Sequence, residues 1–126
     1  MRTIETPHAP RPAGHYSQGV VHGGLVFVAG QLPHDPESPG REAGDVEEQT
    51  ERALRNVEAV LVAAGSGLDR LLSVTVYVTD VALWPRVNAA YARVLGSHRP
   101  ARAVVPVKEL HHGYLVEVQA VAALRE

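Results

Sequence analysis

The stretch LVEVQAVAAL, residues 115–124, decides how the rest of the chain is read. Every position is aliphatic except Glu117 and Gln119. Successive side chains of a strand point to opposite faces. Val116, Val118, Ala120 and Ala122 therefore suit a face covered by helices, and Leu115, Glu117, Gln119 and Val121 take the other. That second face is too apolar for water and too polar for an ordinary core. A carboxylate buried in an aliphatic strand costs several kcal/mol unless it is paired or lines a wet pocket. Glu117 is thus the first candidate functional residue.

Working outward, ARAVVPV (101–107) sets Arg102, Val104 and Pro106 against Ala103, Val105 and Val107, with Arg102 its only charge. If the last two strands form a hairpin, Arg102 and Glu117 share the mixed face. Two readings of the pair stay open. It is either a structural ion pair closing an oligomer interface, or a site. In the second case arginine offers a rigid fork of donors to a substrate carboxylate, and glutamate accepts a proton from water. LLSVTVYVTD (71–80) alternates in the same way, valines against Ser73, Thr75, Tyr77 and Thr79.

Apolar residues recur with helical period at Val46, Thr50, Ala53, Leu54, Val57, Val60, Leu61 and Ala64. This spacing predicts a helix over 46–64, with Asp45 as N-cap, Glu47 and Glu48 in the first turn, and Gly65 as the stop. A second helix is expected from about Ala82 to Leu95, burying Leu83, Val87, Ala90, Tyr91 and Val94. Near the start, YSQGVVHGGLVFVAGQL gives two short strands joined at His22-Gly23-Gly24, a hairpin signal. Residues 33–45, with three prolines and two glycines, read as loop. Residues 1–15, with three prolines and no periodicity, read as an extended arm.

The expected architecture is one α+β domain over residues 1–126, in the order ββαβαββ, with two helices on one face of a mixed sheet. Two helices cover only one face. The leftover face points to a second copy of the chain, hence a homo-oligomer. A net charge of −2 gives no basic footprint for nucleic acid. The absence of cysteine excludes disulfides, thiolate catalysis and Cys-ligated zinc. No apolar leader and no run long enough for a membrane span are seen, so a cytoplasmic protein is expected.

Other features favour structural roles. His111-His112 reads as loop surface rather than metal ligands, because adjacent strand residues diverge and no third ligand follows at metal-site spacing. His15 beside Tyr16 reads as exposed. Gly65-Ser66-Gly67 follows a helix and reads as a cap rather than a phosphate loop. Trp84 reads as packing, and Asn88 as a structural hydrogen bond.

GHYSQGV, VAGQLP, VTVYVTD, VNAAYARVLG, RPARAVV and LVEVQAVA, in that order from about Ala9 to Leu124, resemble the YjgF/Rid family of reactive-intermediate deaminases. The resemblance implies a chorismate-mutase-like fold, a homotrimer with active sites between subunits, and cofactor-free hydrolysis of 2-imino acids to 2-keto acids and ammonia. It places the carboxylate-binding arginine at Arg102 and the water-activating acid at Glu117. The pocket tyrosine falls at Tyr16, contributed by a neighbouring subunit. Gly30 would offer its backbone carbonyl to the imine nitrogen, and Val104 its backbone amide to the substrate. The chain departs from the pattern at Ala29, where a hydroxyl residue is common, and at Val104, where a smaller residue is. Gln119 stands where a second glutamate is frequent, and KELHHGY replaces a shorter loop. These departures bear on substrate range, and they keep open a more specialised hydrolase or a non-catalytic keto-acid-binding protein.

Overall fold

A computed structural model describes all 126 residues. The elements are β1 (Arg2–Ile4), β2 (Gly19–His22), β3 (Leu25–Gln31), α1 (Val46–Ala64), β4 (Leu71–Val78), α2 (Trp84–Leu95), β5 (Ala101–Pro106) and β6 (Val116–Ala123). The six strands form one sheet in the order β1-β2-β3-β6-β4-β5. Only β4 and β5 pair in parallel. The last strand thus inserts between β3 and β4 and becomes the centre of the sheet.

Local chemistry explains most of these boundaries. Asp45 caps α1 by accepting the Glu48 backbone N–H at 2.9 Å, and the Glu48 side chain returns to the Asp45 backbone, a reciprocal capping box. Gly65 closes the helix in the left-handed region at φ 89°. The β2–β3 turn places Gly23 and Gly24 at φ 59° and 81°, as a two-residue hairpin loop demands. Pro85 opens α2, where no backbone donor is missed.

All eight residues assigned to the buried stripe of α1 are buried. All but Thr50 share one core cluster with Val74, Val76 and Val78 of β4 and Val116, Val118, Ala120 and Ala122 of β6, all of which are also buried. Thr75, Tyr77, Glu117, Gln119, Val121 and Phe27 lie on the opposite face, which neither helix covers. Phe27 remains 45% exposed there.

Three expectations need correction. Residues 2–4 of the supposed arm form an edge strand, with Arg2 opposite Val21, because the start of the chain finds the free edge of β2. Trp84 does not pack in the core: it is 40% exposed. The last two strands do not form a hairpin, since β4 separates them. The connection through His111–Gly113 carries the chain over β4 before β6 enters the sheet.

Candidate active site

The third correction relocates Arg102. Its register partner is Val74, a core residue, so its side chain lies on the helix side of the sheet. Glu117 pairs with Tyr77 on the open side. Within one chain the two charges therefore occupy opposite faces. They are also two strands apart, roughly 10 Å at sheet spacing. Arg102 donates through Nη1 to Asn88 Oδ1 at 2.9 Å, and its guanidinium carbon stands 4.7 Å from the Tyr91 ring centroid. Asn88 makes the structural hydrogen bond expected of it, to the arginine, and α2 fixes the guanidinium at the edge of the sheet.

β5 is the last strand, so one side of its backbone is unpaired. The Val107 N–H donates inward to the Val78 carbonyl. Alternation then turns the N–H of Val104 outward, along the free edge. Pro106, which has no N–H, stands at another outward position, where a proline is tolerated. Arg102 and the Val104 amide together make this edge a candidate carboxylate-binding strip.

Glu117 lies with Tyr16, Ala29, Gly30 and Gln119 in the lining of a cavity of about 750 Å³ on the open face. Tyr16 and Glu117 of one chain both line this cavity. Gly30 meets the carboxylate directly: a Cβ at residue 30 would stand 2.7 Å from Glu117 Oε2 and 3.1 Å from its Cδ. A methyl there would push the flexible end of the Glu117 side chain aside. The β3–β6 register breaks between Val28 and Gln31, leaving Ala29 and Gly30 outside the regular pairing.

Burial pushes the Glu117 carboxyl above its ordinary value, and the nearby His111 acts in the opposite direction. No arginine of the same chain contributes to that balance. A glutamate raised in this way is better matched to proton transfer near neutral pH.

Lining residues that the sequence did not assign to the site include Arg11, His34, His111, His112 and Tyr114. The His-His pair lies on the exposed surface as expected, on a short helical turn, His111–Gly113, that also borders the cavity. The signal available was position: the pair immediately precedes Glu117, in the loop that departs from the family pattern. His15 is exposed and is not part of the lining.

A one-domain α+β sheet with a carboxylate cavity on its uncovered face and an arginine on its edge defines the class of protein. The family model described as Endoribonuclease L-PSP matches residues 6–124. A RutC family protein of Pyrococcus abyssi is 41% identical over 94% of both chains. The 2-iminobutanoate/2-iminopropanoate deaminase of Salmonella typhimurium is 38% identical over 98% of both. The crystal structure of E. coli TdcF with bound serine superposes at a TM-score of 0.93 with 34% identity, covering 99% of this chain and all of that one. The chain belongs to the YjgF/Rid family.

Proposed function

We propose that this chain is a cofactor-free hydrolase of reactive 2-imino acids, working as a homotrimer whose sites lie between copies. The observation that carries the reading is the Glu117 carboxylate, lifted in pKa by burial and seated against the Gly30 backbone inside a cavity. Similarity to a named imine deaminase adds support. The opposite faces of Arg102 and Glu117 require two copies if both act on one substrate.

In this mechanism, Arg102 of one copy and the Val104 N–H hold the substrate carboxylate. The iminium N–H of the substrate donates to the Gly30 carbonyl of the other copy. Glu117 orients a water against C2 and takes its proton as the C–O bond forms, giving a carbinolamine. It returns the proton to nitrogen, the C–N bond breaks, and the hydroxyl proton leaves with ammonia as ammonium. The product is the 2-keto acid. An iminium carbon is already electrophilic, so the protein supplies positioning and one proton relay. Tyr16 closes the wall beside the reacting carbon.

The family model's description names a different reaction, but the cavity's one permanently charged cation is Arg11, which suits a phosphodiester chain poorly.

The test is a trapping assay. A pyridoxal-phosphate threonine dehydratase generates 2-iminobutanoate in the presence of semicarbazide, and added protein competes with the trap. Wild-type protein is expected to suppress semicarbazone formation, while Glu117→Ala and Arg102→Ala suppress it at least a hundredfold less. No suppression by a folded oligomer would overturn the reading.

A further inference from the structure

The cavity is larger than a small imino acid requires. Pockets of about 300–1,000 Å³ accommodate drug-sized ligands, and this one is about 750 Å³ in the single chain, before a neighbouring copy closes over the open face. Its walls are unusually rich in rings: Tyr16, His34, His111, His112 and Tyr114 all border it. Three of these lie on one short turn. His111 and His112 are tilted at 46° with centroids 6.1 Å apart, and His112 meets Tyr114 edge-to-face at 5.9 Å and 73°. Edge-to-face packing uses the edge of one ring and the face of another, so ring faces remain for a further aromatic group. Tyr16, 53% exposed, borders the cavity from a separate loop.

The backbone of the turn is bent to present these rings. His112 adopts φ 62°, the only positive φ outside glycine in the chain, and Gly113 follows at φ 72°. A non-glycine residue in that region carries strain that surrounding structure must sustain. Ala29, a small residue, also lines the cavity. Permanent charge does not favour an acidic side chain, since Arg11 and Glu117 balance one another among the lining residues.

We propose that the ring-lined part of this cavity, formed by Tyr16, His34, His112 and Tyr114, is a side-chain subsite that selects 2-imino acids with an aromatic side chain. The proposal deepens the imine-hydrolase reading and rests on it for the reaction, but not for binding. The carboxylate and C=N of such a substrate sit between Arg102 of the neighbouring copy and Glu117, and its ring stacks toward His112 and Tyr114. Short imines leave that region filled with water.

Two measurements on the intact protein separate the claims. A flavin L-amino-acid oxidase, with oxygen and catalase, converts phenylalanine and 2-aminobutyrate to their imino acids, and the semicarbazide assay gives kcat/KM for each. Calorimetry gives Kd for the product keto acids, phenylpyruvate and 2-oxobutanoate. His112→Gly removes the ring while suiting the left-handed backbone, and Tyr114→Leu provides an independent second variant. Wild-type protein is expected to favour the aromatic imine and the aromatic keto acid by about tenfold or more. Each variant is expected to reduce that ratio about three- to tenfold, the range of one aromatic contact. Hydrolysis of both imines without preference would overturn the subsite and leave the deaminase reading standing. A ratio unchanged in both folded variants would overturn it too. No hydrolysis, but tighter phenylpyruvate binding lost in His112→Gly, would keep the subsite and overturn the deaminase. Neither hydrolysis nor preferential binding would overturn both.

Discussion

The two faces of the sheet are built from the same strands yet obey different rules. On the helix side, Val76, Val116 and Val118 meet Leu54, Val57 and Leu61 in a core with almost no solvent contact. On the open side, one residue along the same strands, stand Tyr77, Glu117 and Gln119, with the Tyr77 hydroxyl donating to Gln119 Oε1 at 2.9 Å. The first face determines whether the chain folds, and the second determines what the folded chain meets. A one-residue slip of β6 would exchange them.

The sharpest contrast comes from removing bulk on each face. Leu54→Ala opens a cavity in a fully buried site and is expected to cost about 2–5 kcal/mol in denaturant unfolding. Val121→Ser, beside Phe27 on the open face, is expected to leave the chain folded and instead reduce the mass of the assembly in sedimentation. Equal losses of stability with unchanged mass would erase the distinction between the faces.

A smaller effect is expected where the two strands touch at the site. In Gly30→Ala the new methyl must displace the Glu117 carboxylate by several tenths of an ångström or more. Turnover should fall at least tenfold, while the melting temperature moves by a few degrees. Full activity in this variant would show that the carboxylate position is unimportant.

The smallest effect is a shift along the pH axis. In the proposed mechanism activity requires ionised Glu117, so the rate is expected to fall as pH drops through its carboxyl pKa. Burial sets that limb above the ordinary glutamate value, and His111 holds it down. His111→Ala removes the opposing influence, and the acid limb is expected to move to higher pH. Tyr77 on β4 and Arg11, Tyr16, His34, His112 and Tyr114 around the cavity also face this region and are unchanged in the variant. An acid limb that moves to lower pH would contradict the assigned cause.

Much of this was legible in the sequence because period-two and period-3.6 patterns are local. The alternation of Val116, Val118 and Ala120 against Glu117 and Gln119 announced both faces, and Asp45 and Gly65 announced both ends of α1. Pairing order is not local. Nothing in ARAVVPV or LVEVQAVAAL says that β4 lies between them, so the apparent proximity of Arg102 and Glu117 along the chain misled. Edge pairing by residues 2–4 was equally invisible, since three residues carry too little pattern. His111-His112 was legible as loop surface, but its place beside the cavity was not, since that depends on a positive φ at His112 that adjacent histidines do not signal.

The central claim is that Arg102 and Glu117, on opposite faces of one chain, act together across two copies. Subunit mixing tests it most directly. Arg102→Ala and Glu117→Ala proteins are each assayed for imine hydrolysis, then unfolded together, refolded into mixed oligomers and assayed again. Two inactive parents should yield a mixture with a substantial fraction of wild-type activity, because some interfaces then pair an intact Arg102 with an intact Glu117. A mixed oligomer as inactive as its parents, beside wild-type protein that hydrolyses the imine, would contradict the account.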